Sequence, residues 1–115
     1  MQILKQMLNY QEMDRAYQAL ADRTRRALLD RLLEGPACVT ELAKGQPMSL
    51  PAVMQHLQVL EASGLVKSEK VGRIRTCRIE PKTLRSAERW IADRRTVWER
   101  RLDRLGAYLA ETGEK

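Results

Sequence analysis

From Lys82 to about Glu111 the chain runs without a proline, and apolar side chains return every seventh position: Leu84, Ile91, Trp98 and Leu105, Trp90 and Val97, Leu102 and Leu109. A helix of roughly 30 residues spans on the order of 45 Å, more than a compact domain of this size can cover with its own core. The wide stripe, interrupted by Arg94 and Arg95, is half of a coiled-coil-like interface and demands a second surface. The N-terminal segment makes the same demand. Ile3, Leu4, Met7 and Leu8 recur at helical spacing over residues 2–12, and a short amphipathic helix is stable only against a partner. The first and last helices are therefore expected to pack together across a two-fold axis in a homodimer, with residues 1–13 and 82–111 as dimerisation helices. Ile3, Leu4, Met7, Leu8, Leu84, Ile91, Trp98, Leu102, Leu105 and Leu109 are the expected interface. A cofactor groove around the two tryptophans is the alternative use of the stripe.

Between these ends, glycine and proline divide the chain into short elements. Tyr17 and Leu20 suggest a further turn of helix after the first, and Asp22 can cap a helix from Arg23 to Glu34 with an apolar stripe of Leu28, Leu29, Leu32 and Leu33. Gly35-Pro36 stops it. Thr40 can cap a short helix through Lys44 that buries Leu42; Gly45 to Met48 forms a turn; Ser49 can cap the next helix, with Pro51 tolerated in its first turn. At 100° per residue Leu50, Val53, Leu57 and Leu60 share one face, while Pro51, Gln55, Gln58 and Ala62 lie opposite. Gly64 supplies a left-handed C′ position, and Leu65 to Val71 and Arg73 to Ile79 flank Gly72 as the arms of a hairpin. The expected fold is mainly α with a small β-hairpin. It is one winged helix-turn-helix domain over residues 1–115, with a helical core at 22–64 and the wing at 65–80.

Charge is distributed unevenly along this order. The net charge is +6, yet residues 1–64 carry seven basic and seven acidic side chains, so the whole excess lies in the second half. Acids and bases alternate in the last helix, as on a solvated surface. Lys67, Lys70, Arg73, Arg75 and Arg78, by contrast, crowd the short hairpin, which favours a polyanionic partner. No stretch is long and apolar enough to span a bilayer and the N-terminus has no signal-peptide run, so the expected address is cytoplasmic and no membrane partner is expected. One histidine, no nucleophile-elbow glycines and no phosphate loop exclude the common hydrolase and nucleotide chemistries, and no enzymatic activity, metal or cofactor is expected.

A helix whose outer face is polar but uncharged, followed by a cationic hairpin, matches a division of labour in DNA recognition. Neutral side chains read base edges in the major groove and cations hold phosphates. Gln55 is the leading reader, because its amide can donate to and accept from one adenine edge; Ser49, Pro51, Ala52, Met54 and Gln58 surround it. Lys67, Lys70, Arg73 and Arg75 are the expected phosphate contacts. A plain solvated polar face is the alternative for Gln55.

The strings ALADRTRRALLDRLLEG, VTELAKG, SLPAVMQHLQVLEASGLV and GRIRTCRIEP resemble the ArsR/SmtB family of bacterial transcriptional repressors over roughly residues 15–110. The resemblance implies a homodimeric winged helix that binds an operator in double-stranded DNA and is released when an effector changes the dimer's geometry. It also implies that His56 approaches the DNA backbone; a histidine hydrogen-bonded within the fold is the alternative. Relatives that sense soft metals carry Cys-Val-Cys where this chain has Cys38-Val39-Thr40, and relatives that bind zinc between their last helices use histidines, of which Lys82 to Lys115 has none. Where the family often has a small hydroxyl residue and a basic residue, this chain has Met54 and Gln58.

Two cysteines leave a redox effector open. Cys38 and Cys77 could form a thiol switch if the fold brought their Cα atoms within about 7 Å, or they could serve as small apolar core residues. The function expected from the sequence is a sequence-specific repressor that blocks a promoter, with autoregulation of its own gene and an unidentified small-molecule or redox effector both left open. A protein-binding adaptor built on the long helices, and a non-specific architectural DNA binder, are the alternatives.

Overall fold

The computed structural model describes the backbone of residues 2–112 and the side chains of residues 10–112. Helix α1 (Gln2–Leu20) leads through a short turn to α2 (Arg23–Leu33), followed by β1 (Ala37–Cys38), α3 (Val39–Lys44), α4 (Leu50–Ala62), the hairpin β2 (Val66–Val71) and β3 (Ile74–Ile79), and α5 (Pro81–Thr112). The strands form one antiparallel sheet in the order β1-β3-β2. A winged helix-turn-helix results, with α3 and α4 as its two crossing helices and β2–β3 as its wing.

The N-terminal helix and the turn expected after it are one element. Between Tyr10 and Leu20 there is neither glycine nor proline, and Ala16 and Ala19 are buried, so small side chains seat the last turns of α1 on the body and nothing interrupts it. Asp22 caps α2 as expected, its Oδ2 accepting from the Arg25 N–H at 3.0 Å. Leu28, Leu29 and Leu32 enter the core, but Leu33 is 69% exposed, because it lies on the flank of the last turn where no other element reaches.

The hairpin is part of a larger sheet than the sequence suggests. Ala37 pairs with Cys77 and Cys38 with Thr76, a two-residue strand that exists only through its partner. This pairing also moves the start of α3. Cys38 is extended (φ −79°, ψ 161°) and takes the N-cap position without a side-chain cap bond, which puts Thr40 inside the first turn and not at the cap.

Helix α4 begins and ends on local chemistry. The Ser49 hydroxyl oxygen accepts from the Ala52 N–H at 3.3 Å. At the other end Leu65 N–H donates to Leu60 C=O and Gly64 N–H to Glu61 C=O, the paired bonds of a Schellman motif, with Gly64 at φ +81°. A Cβ there would meet Thr83 Oγ1 at 3.0 Å, and that hydroxyl donates to Gly64 C=O, joining the end of α4 to the start of α5.

Val53, Leu57 and Leu60 on α4 close against Leu28, Leu32, Leu42, Leu65 and Val66. Leu50, expected on the same buried face, is exposed, because the first turn of α4 projects past the edge of the core. Leu84 is half-buried and packs on the core, so it belongs to the domain and not to an outer interface.

Candidate nucleic-acid interface

The outward arc of α4 holds Pro51, Met54, Gln55 and Gln58, all exposed; Ala52 is half-buried at its margin. Ser49 is exposed but its oxygen is spent on the helix cap, which makes it first a structural residue. From Gly45 to Leu60 there is no Lys, Arg, Asp or Glu, so this surface offers only amides, a ring, a thioether and aliphatic groups.

His56 lies on the flank of the same helix and is tied inward. Its Nδ1 is 3.3 Å from Arg25 Nη1 and 3.8 Å from Asp22 Oδ2. Arg25 is the connecting residue that sequence reasoning missed. Its Nε donates to Ala19 C=O at 2.7 Å and its Nη2 to Gln18 C=O at 3.0 Å. Arg26 donates to Leu20 C=O at 2.8 Å. The orphan carbonyls ending α1 thus receive two guanidinium groups from α2, a favourable meeting of cations with a helix C-terminus. One side chain, Arg25, thereby joins α1, α2 and α4. The Arg25 backbone N–H is also the main reason the Asp22 carboxyl titrates below its ordinary value. The only local signal was the cap itself, three residues before Arg25; the long-range partners have none.

The wing stands beside this face. Register places Lys67 opposite Arg78 and Lys70 opposite Arg75, two like-charged cross-strand pairs, with Gly72 (φ +63°) and Arg73 at the tip. Like charges directly opposite are unfavourable on their own, and a nearby polyanion relieves them. Lys67 is the exception: its Nζ lies 3.1 Å from Glu80 Oε2, and this hydrogen bond is the main cause of the lowered Glu80 pKa. Arg75 donates to Ser68 Oγ at 2.8 Å, and Ser68 donates in turn to Glu61, which braces the wing on the end of α4. Among the described residues, Lys70, Arg73 and Arg75 form no ion pair.

The cysteines are neighbours in sequence register but not in orientation. Cys77 is buried beside Ala37, whereas Cys38 pairs with Thr76, and adjacent positions in paired strands point to opposite faces. A disulfide between them would require the backbone to turn over at this register. Burial, followed by the Glu61 charge, pushes the Cys77 thiol up. Cys38 Sγ donates to Glu41 Oε1 and lies 3.2 Å from Thr40 Oγ1.

Helix α1 meets α5 within one chain. Tyr17 Oη donates to Ala87 C=O at 3.0 Å, and its ring meets Trp90 edge to face with centroids 6.0 Å apart. These two helices, expected to pack across a two-fold axis, thus also meet within one chain. Arg94, one of the breaks in the apolar stripe, lies over the Trp90 ring at 4.5 Å, a cation–π contact that explains its place. A cleft of about 330 Å³ between Tyr10, Met13, Asp14, Tyr17, Trp90 and Ile91 opens here, and Trp98 takes no part in it. Ile91 at its rim, and Trp98, Leu102, Leu105 and Leu109 beyond it, are exposed. The side chains of Ile3, Leu4, Met7 and Leu8 lie outside the described residues.

Residues 22–68, from the cap of α2 into the first strand of the wing, match the sequence profile described as bacterial regulatory protein, arsR family. The HTH-type transcriptional regulator Rv2034 of Mycobacterium tuberculosis is 43% identical over 108 residues, 94% of this chain and 98% of the relative. The chain belongs to the arsR family. A crystal structure of the ArsR family transcriptional regulator RHA00566 superposes with a TM-score of 0.73 at 47% identity, over 77% of this chain and 92% of that one. The homodimeric winged helix-turn-helix DNA-binding domain Mb0332 of Mycobacterium bovis, a possible ArsR-family regulator, superposes at 0.63 and 26% identity, over 87% and 90%. In this ArsR-family transcriptional regulator no three His, Cys, Asp or Glu side chains among the described residues gather where they could hold an ion. No helix among them is long and apolar enough to cross a membrane.

Proposed function

We propose that this ArsR-family regulator is a cytoplasmic, non-enzymatic repressor acting as a homodimer on a pseudo-palindromic operator. Residues 1–13 and the outer part of 82–111 serve pairing, 22–64 the helix-turn-helix and 65–80 the wing. The observation that carries this reading is the juxtaposition of an uncharged outer face on α4 with a wing whose Lys70, Arg73 and Arg75 have no acidic partner among the described residues. Gln55 and Gln58, with Pro51 and Met54, read base edges; Lys70, Arg73 and Arg75 hold phosphates, with Lys67 contributing less because Glu80 already neutralises it. His56, held at Nδ1 by Arg25, offers Nε2 as its only ring atom for a phosphate. Two recognition helices related by a two-fold axis engage half-sites about 34 Å apart, and a dimer seated there excludes polymerase without any catalytic group.

The test is fluorescence anisotropy of the protein with duplex DNA from upstream of its own gene and with a scrambled duplex, between about 50 and 300 mM salt. A preference above about a thousandfold supports the repressor reading. Equal, salt-sensitive binding to both duplexes would favour an architectural role, and no binding would favour an adaptor. With about six phosphates neutralised per dimer, log affinity is expected to fall against log salt with a slope near −5. Arg73→Gln removes two contacts per dimer, so the slope should flatten by roughly 2; an unchanged slope excludes Arg73 as a phosphate contact.

Gln55→Ala has a different signature. It is expected to cost about 1–3 kcal/mol per half-site on the operator and almost nothing on scrambled DNA, because it removes base readout and leaves the charge alone. Equal losses on both duplexes would make Gln55 part of the scaffold.

A further inference from the structure

Helix α4 exposes two large apolar side chains in its first two turns. Leu50 is 42% and Met54 43% exposed, at the margin of the inward face on which Val53, Leu57 and Leu60 close the core. At positions i and i+4 they lie within about 40° of each other and form one strip, beside Pro51, Gln55 and Gln58. Both side chains keep about four-tenths of their surface open to solvent. The strip sits in the N-terminal part of the helix, the part that reaches base edges when such a helix enters a major groove.

Resting on the DNA-binding reading above, we propose that Leu50 and Met54 read the C5-methyl groups of thymine and so make this protein select A·T steps in each half-site. Among base edges in the major groove, only thymine presents an apolar group, and it is the one feature an aliphatic side chain can recognise. The same surface supplies the complementary readout. Gln55 and Gln58 carry amides that match the adenine edge, so a T followed or preceded by A meets both chemistries on one helix face. The lack of any charge between Gly45 and Leu60 fits this division, since a buried cation or carboxylate beside a methyl would lose its hydration. Methionine, unbranched and polarizable, can follow small differences in methyl position; leucine is the stiffer contact.

The probe is an operator duplex selected on the wild-type protein from a randomised pool. Thymines in its half-sites are then replaced by deoxyuridine, which removes the methyl and keeps the base pair. Wild-type affinity is expected to fall about fourfold for each contacted methyl. The Leu50→Ala, Met54→Ala double variant is expected to bind the thymine and uracil duplexes equally, with its wing salt slope intact. Because the wild-type measurement alone decides, the proposal stays testable even if the double variant folds poorly. Selected DNA that lacks thymine in the half-sites, or wild-type binding that ignores the methyl while still preferring the operator, overturns the proposal and leaves the DNA-binding reading standing. Failure to select any duplex overturns both.

Discussion

With Trp98 and Leu105 both replaced by glutamate, the protein is expected to sediment as a single chain of 13.3 kDa and not at twice that mass. Trp98, Leu102, Leu105 and Leu109 follow one another at steps of four, three and four residues on the outer part of α5, and all four are exposed in the single chain. Fully burying such side chains is worth about 1.5–3 kcal/mol each, so eight of them across a two-fold axis contribute on the order of 12–24 kcal/mol. Association costs roughly 4–15 kcal/mol, and the balance favours a stable pair. Two buried glutamates per chain reverse it. The radius of gyration, 19.8 Å against roughly 13 Å for a compact chain of this length, reflects the same projecting helix. Operator affinity should drop at least a hundredfold, because each recognition helix then binds its half-site alone. A variant that stays dimeric in sedimentation would show that pairing lies elsewhere.

Leu60→Ala acts on the body and not on the projection. Leu60 is wholly buried, on the inner face of α4, and its carbonyl receives both the Leu65 N–H and the Ser63 hydroxyl. Removing its side chain leaves a cavity under the recognition helix and is expected to cost about 2–5 kcal/mol. Against a total stability of roughly 5–15 kcal/mol this is a large share. Urea denaturation should show a lower midpoint with an unchanged slope. A shift below about 1 kcal/mol would mean that α4 can settle into the space.

The parts of this fold legible in the sequence are those decided within a few residues. Ser49 with Pro51, and Gly64 after Ser63, mark both ends of α4 by capping chemistry, and Gly72 places the hairpin turn. The parts that escaped depend on what lies across the chain. Strand β1 exists only by pairing with β3, and it moves the cap of α3 from Thr40 to Cys38. Leu33 and Leu50 keep helical periodicity with the core residues, yet the body ends before it reaches them. Leu84 fits the heptad of α5 equally well, and only the position of the core under the first turns assigns it inward. For the candidate interface, composition identified the uncharged face and the cationic hairpin. It could not show that Ser49 is occupied as a cap, that Lys67 is paired with Glu80, or that Arg25 gathers α1, α2 and His56.

Among the described residues, no side chain beyond Ala87 is buried. The winged-helix body therefore completes its core without the outer half of α5, and on the proposed reading of α5 as the pairing helix, folding and pairing are expected to be separate equilibria. The share of molecules competent for a two-fold operator then depends on how many copies a cell holds: at low abundance the chains are folded but mostly single, and competence grows faster than in proportion as they accumulate. Where the regulated gene is the protein's own, a dose threshold is built into the length of one helix, and dilution by cell growth reopens the promoter without any chain unfolding.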